Sequence, residues 1–164
     1  MTLDGRVTVP GSRWVSGEES RRLVHELRAA SDAVAVGMGT VRLENPRLDA
    51  RDVAVVRQPR RLALGQGPLP DGSELELRSG PLGEELPALG AEGVQSLLLE
   101  GGPTLAGAFL RAGLVDKLLL FVAPTLAGTG PGLLDRLETP LALTRLTTRR
   151  VGADVLLEAY LREP

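Results

Sequence analysis

Three leucines, an acid, two glycines and a proline in a row, Leu97-Leu98-Leu99-Glu100-Gly101-Gly102-Pro103, restrict this chain more than any other stretch. The leucine run is short, lacks polar alternation and stops at the glycine pair, which predicts a strand buried on both faces. Glycines there open φ/ψ values closed to other residues and let a ligand come close to the main chain. Pro103 suits the first position of a helix, where its missing N–H costs nothing. Leu105, Ala108, Phe109 and Ala112 then recur at helical spacing and predict one apolar face. A strand, a glycine turn and a fresh helix N-terminus present N–H groups and a positive dipole end, which suits a phosphate. Taken alone, the turn reads equally well as a plain tight connection. Glu100 weighs against that, because an acid at the mouth of a buried strand needs a partner or a chemical role.

At 164 residues the chain has the length of one domain, so a single domain over 1–164 is expected. A net charge of -2 and 2% aromatic residues argue against a nucleic-acid partner. The absence of cysteine excludes disulfides, thiolate catalysis and cysteine-ligated metals, and His25 is the single histidine, so no metal site is expected. No apolar run has the length of a membrane span and the first residues do not read as a signal peptide, so no membrane partner and a cytoplasmic location are expected.

Along the chain, Ser16 and Glu19 form a capping-box pattern that predicts a helix over 17–30, with Leu23, Val24, Leu27 and Ala30 as its core stripe. Residues 7–9 could form a strand edge. Residues 33–38 predict a buried strand ending at a second glycine turn, Gly37-Met38-Gly39-Thr40, where Thr40 could cap a short helix over 41–44. Residues 60–64 predict another strand, 75–77 a weak one, and Leu82, Leu86 and Leu89 a brief helix. Residues 117–122 read as a further buried strand, and 143–151 with 155–161 as an antiparallel hairpin turning at 152–154. Strands alternating with helices, then a hairpin, predict an α/β fold with a mostly parallel sheet, helices on both faces and an antiparallel edge.

Ligands of open parallel sheets bind outside the carboxyl ends of the strands, where both glycine turns should lie. There is no G-x-G-x-x-G fingerprint, so a true Rossmann domain is not predicted. Arg28 and Arg51 could grip a phosphate in bidentate fashion, although an arbitrary arginine is more often a solvated one. Trp14 by itself reads as a core or lid residue, and His25 as a helix-surface residue.

The segments taken in order resemble the reductase domain of the bacterial riboflavin-biosynthesis deaminase/reductase, a relative of dihydrofolate reductase. The matching pieces are Thr2-Leu3-Asp4-Gly5-Arg6, Ser12-Arg13-Trp14-Val15-Ser16, Leu27-Arg28-Ala29, Val36-Gly37-Met38-Gly39-Thr40-Val41, Asn45-Pro46-Arg47-Leu48 with Arg51, and Glu100-Gly101-Gly102-Pro103-Thr104-Leu105-Ala106-Gly107. The family's usual Asp-Asp-Pro is Glu44-Asn45-Pro46 here, and Gly65-Gln66-Gly67 replaces an acidic and hydroxyl pair. The chain opens inside the family's first motif, so the family's first strand is expected to be missing, and no deaminase domain is expected.

The resemblance implies a dihydrofolate reductase-like fold and NADPH-dependent reduction of a ribosylamino group to ribitylamino on a pyrimidine 5′-phosphate, a step of riboflavin biosynthesis. It implies that Trp14, Thr40, Glu44, Gly102, Pro103, Thr104, Leu105, Ala106 and Gly107 touch NADPH. Ser12, Arg28, Leu48 and Arg51 are implied on the substrate, with the arginines on its phosphate, and Glu100 as the catalytic acid at the ribose. A homodimer is implied as well. The alternatives are a related reductase of another substrate and a non-catalytic nucleotide-binding relic.

Overall fold

The computed structural model describes residues 1–162. Its elements in chain order are α1 (Glu18–Ala30), β1 (Ala33–Gly37), α2 (Met38–Glu44), β2 (Arg60–Leu64), β3 (Glu76–Arg78), α3 (Leu82–Ala91), β4 (Leu97–Leu99), α4 (Pro103–Arg111), β5 (Lys117–Val122), β6 (Thr144–Val151) and β7 (Asp154–Tyr160). The chain divides into two compact units, one made of Arg22–Leu105 and one of Met1–Arg21 with the chain from Ala106 onward.

In the unit Arg22–Leu105, four parallel strands lie in the order β3-β2-β1-β4. Ala33 to Val36 alternate small and β-branched residues, which fit a pleated surface with neighbours on either side, and all four are buried. The register sets Gly37 beside Leu64 and Ala35 beside Leu99, which brings the carboxyl ends of β1, β2 and β4 to one edge. The core packs Val34, Val36, Met38, Val41, Leu48, Ala63 and Leu75 together. The leucine run behaves differently from expectation. Leu97, Leu98 and Leu99 are half-buried rather than buried on both faces, because β4 is the terminal strand of its sheet and has one neighbour, β1. Pairing continues one residue past β4, where the Glu100 N–H donates to the Ala35 carbonyl at 2.9 Å.

In the other unit, β5, β7 and β6 form their own antiparallel sheet in the order β5-β7-β6. The hairpin over Gly152 is as expected, with Val151 opposite Asp154. The expected antiparallel edge of the parallel sheet is therefore a separate sheet, and β5 is half-buried rather than buried. Residues 7–9 form no strand. Val9 makes an isolated bridge with Ser12, and Thr2 one with Ala123.

Three local expectations are corrected by tertiary partners. Helix α1 does not use Ser16 as its cap. The Arg21 N–H donates to the Gly17 carbonyl, and the carboxylate of Asp154 accepts from the Gly17 N–H at 2.8 Å and from the Ser20 hydroxyl at 2.6 Å. A carboxylate from β7 thus replaces the capping box, in a place the helix dipole favours. Helix α2 starts at Met38 with Gly37 as N-cap and no side-chain cap, so Thr40 lies inside its first turn instead of ahead of it. In α4 the buried residues are Gly107, Phe109 and Leu110, while Ala112 is exposed; Ala30 of the expected α1 stripe is exposed too.

Candidate active site at the ends of the parallel strands

The site builds outward from Glu100. Its position just past β4 follows from the ladder bond to Ala35, and its side chain meets Arg28 from α1. The guanidinium is bidentate: Nε donates to Oε1 at 2.6 Å and Nη2 donates to Oε2 at 2.7 Å. Side-chain exposures of 13% for Arg28 and 23% for Glu100 put this pair in a partly desolvated place, where a fork of charge-assisted bonds is strong. The third nitrogen, Nη1, donates to the Asp49 carbonyl at 3.0 Å. Burial alone would lower the Arg28 pKa; the bonds and charge of Glu100 outweigh it and hold the guanidinium above its ordinary value.

Around Asp49 the main chain is unusual. Asn45, Leu48 and Asp52 all adopt positive φ, at 39°, 54° and 60°. Left-handed backbone is costly for a branched residue such as leucine and persists where surroundings enforce it, often at functional loops. Leu48 is held by the core, at 2% exposure. The Asp49 carboxylate meets Arg51 Nη1 at 2.7 Å and Arg47 Nη2 at 3.1 Å. Burial works to raise its pKa, and the charges of Arg51 and Arg47 overcome that to leave it below the usual carboxylate value. His25, one turn before Arg28 on α1, sits with Nδ1 3.2 Å from the Asp49 carbonyl oxygen and 3.4 Å from the Arg51 nitrogen. Burial, then the charges of Arg28 and Arg51, lower its pKa, so the ring is neutral at neutral pH.

The two glycine turns meet on the same unit. A methyl group added to Gly101 would press on Leu105 at 3.3 Å, so any larger residue there needs Leu105 to shift. At Gly102 the nearest atom would be the Thr40 hydroxyl at 3.8 Å, and at Gly39 nothing lies within 4 Å. The main chain beside Thr40 is therefore approachable, and Pro103 and Thr104 open α4 next to it. That cradle and the helix start fit the phosphates of a dinucleotide.

The structure brings Arg28, Arg51 and Glu100 into one hydrogen-bonded cluster around Asp49, with Leu48 buried in the core beside it, and Thr40, Gly102, Pro103, Thr104 and Leu105 into one cradle. Glu44, at the end of α2, is exposed. Ser12 and Trp14 belong to the other unit, as do Ala106 and Gly107. There the Ser12 hydroxyl donates to the Trp14 carbonyl at 2.7 Å, and Trp14 is 51% exposed between the guanidinium groups of Arg13 and Arg21, each about 5 Å from its ring. Sequence reasoning missed Asp49 altogether and read His25 as a surface residue. One signal was available: His25 and Arg28 are three apart and share a helix face.

Glycine turns at the carboxyl ends of adjacent parallel strands, with an ion-paired carboxylate beside them, place this protein among the open α/β folds that bind ligands at that edge. The chain matches the family described as RibD C-terminal domain over residues 1–68 and 81–157, and it belongs to that family. The riboflavin biosynthesis protein RibD of Mycobacterium tuberculosis is 35% identical over 179 residues, covering 98% of this chain and 52% of that one. The chain thus spans about half the length of such relatives. A 2,5-diamino-6-ribosylamino-4(3H)-pyrimidinone 5′-phosphate reductase of Methanothermobacter thermautotrophicus is 31% identical over 202 residues, covering 96% of this chain and 93% of its own. Among solved structures, Acinetobacter baumannii RibD superposes with a TM-score of 0.86 at 25% identity, over 97% of this chain and 55% of that one. A dihydrofolate reductase from Enterococcus faecalis, with a TM-score of 0.61 at 10% identity over 97% of this chain and 90% of that one, shares the fold. The fold is dihydrofolate reductase-like.

Proposed function

We propose that this chain reduces the ribosylamino group of 5-amino-6-(5-phosphoribosylamino)uracil, or its diamino analogue, to ribitylamino with NADPH. The observation that carries the reading is the Arg28–Glu100 fork, set at the carboxyl end of β4 directly before the Gly101-Gly102-Pro103 cradle. It is supported by the similarity over 93% of a protein named as the pyrimidinone 5′-phosphate reductase.

In this reading Thr40, Gly102, Pro103, Thr104 and Leu105 hold the cofactor, with Trp14, Glu44, Ala106 and Gly107 as further contacts. NADPH supplies the hydride. Glu100 accepts hydrogen bonds from ribose hydroxyls and assists the opening of the furanose. In that step the C1′–O4′ bond breaks, the ring oxygen gains a proton and the amino nitrogen gives one up, leaving the C1′=N imine that can accept hydride. Arg28 commits all three nitrogens to Glu100 and the Asp49 carbonyl, so it orients the carboxylate. Arg51 is then the side chain left to meet the substrate phosphate, with Ser12 and the Leu48 turn as further substrate contacts. The protein's larger contribution is to hold donor and acceptor in reacting geometry.

Following NADPH oxidation with the ribosylaminopyrimidine phosphate and, separately, with dihydrofolate tests this reading. Turnover of the first alone is expected. Turnover of dihydrofolate alone would transfer the protein to another substrate, and NADPH binding without turnover of either would make it a relic.

A further inference from the structure

The main chain and the side chain of Asp49 have separate partners. The main chain of residues 49 and 50 is anchored four times: the Asp49 carbonyl meets Arg28 and His25, the Ala50 N–H donates to Gln58 at 2.9 Å, and the Ala50 carbonyl accepts from Gln58 at 2.7 Å. None of these bonds uses the Asp49 carboxylate. Its oxygens are turned instead to Arg51 and Arg47, whose side chains are 48% and 73% exposed and so open to a ligand. The carboxylate itself is 13% exposed. A largely covered anion that bridges two exposed guanidinium groups, one two residues before it and one two residues after, occupies the place an anionic ligand would take.

We propose that Asp49 is a built-in counter-anion for the Arg47–Arg51 pair, which the dianionic phosphate of a phosphate monoester displaces. The proposal rests on the functional reading above and adds to it a residue that sets the affinity of the phosphate site. A monoanion gains little by replacing a carboxylate, because one negative charge is exchanged for another. A dianion carries twice the charge and wins the exchange. Asp49 thereby keeps affinity for the phosphate group moderate, so that product can leave. Arg47, absent from the expected site, joins Arg51 in the phosphate grip.

The test is calorimetric titration of the NADPH-loaded protein with ribose 5-phosphate at about pH 8, where a phosphate monoester is dianionic. Asp49→Asn, which keeps the side-chain shape, should bind ribose 5-phosphate about tenfold more tightly than the parent, the scale of one nearby charge at partial exposure. The same variant should gain less for dimethyl phosphate, a monoanion, than for ribose 5-phosphate, because a carboxylate beside the site repels one charge less than two. Adding Arg51→Ala to Asp49→Asn should abolish both gains. Unchanged or weaker binding by Asp49→Asn, a gain that survives Arg51→Ala, or no binding by parent and variant alike would overturn the proposal. Should Asp49→Asn fail to fold, Asp49→Ser is read by the same criteria. The two proposals fail separately: an enzyme inactive on the ribosylaminopyrimidine phosphate can still show the tightening, and an active one can lack it.

Discussion

Glu100 carries the chemistry proposed here, and its environment defines what replacing it should do. The carboxylate takes both forks of Arg28, so Glu100→Gln keeps a hydrogen-bonding group of the same shape while removing the charge. If Glu100 acts on the ribose, turnover should fall by ~10²–10⁴-fold with NADPH binding nearly unaltered. Joint loss of cofactor binding and melting temperature would instead make it a structural acid. A second residue-scale prediction concerns acid. Asp4 accepts from the Thr2 hydroxyl at 2.6 Å and from the N–H groups of Gly128 and Ala127 at 2.8 and 3.0 Å, and these bonds hold its carboxyl well below the ordinary value. Asp32, bonded to the Gln95 N–H, to Ser96 and to Arg57, is lowered as well. A folded-state pKa below the unfolded one contributes stability that is present above the unfolded value and lost as pH falls through the folded one. Melting temperature should therefore drop below about pH 4, the unfolded aspartate value. Asp4→Asn should flatten that limb of the curve, and an identical slope would remove Asp4 from the account.

At the scale of elements, α1 depends on a residue that enters from β7. Asp154 is 1% exposed and satisfies the Gly17 N–H and the Ser20 hydroxyl together. Asp154→Ala removes the cap and leaves buried donors unmet, which should cost about 2–4 kcal/mol of unfolding free energy by denaturant titration. Ser16→Ala, in the pattern that sequence alone nominates as the cap, should cost under about 0.5 kcal/mol. The reverse order of the two losses would restore the capping box.

For the whole molecule, linkage offers the most direct readout. A ligand that binds the native state alone stabilises it in proportion to occupancy, so NADPH at about a hundred times its Kd should add about 2.7 kcal/mol. A thermal-shift titration with millimolar NADPH that leaves a well-folded sample unmoved would remove the cofactor from the proposed function. Association is the other whole-molecule expectation. Strand β6 is an edge strand, exposed from Thr144 to Arg150 and carrying Leu146 at 62% exposure. Exposed edges of this kind are commonly paired with a second copy. Light scattering at micromolar concentration should give the mass of a homodimer, and a clean monomer would count against that arrangement.

What the sequence determined by itself lies in features short along the chain. The glycine turns at 37–40 and 101–102, the hairpin over Gly152 and the alternation of strands with helices are each written in a few adjacent residues, because backbone permissiveness and side-chain periodicity act locally. The ordered motifs were enough to point to the family. Tertiary structure alone decided the rest. Arg28 finds Glu100 across 72 residues, and Asp154 caps a helix 137 residues away. Whether Leu97 to Leu99 are buried depends on β4 lying at the end of its sheet, and the grouping of His25, Asp49, Arg47 and Arg51 depends on where the loop after α2 is anchored. These outcomes turn on strand order and register, and no local pattern of apolar and polar residues encodes which strand will be a neighbour.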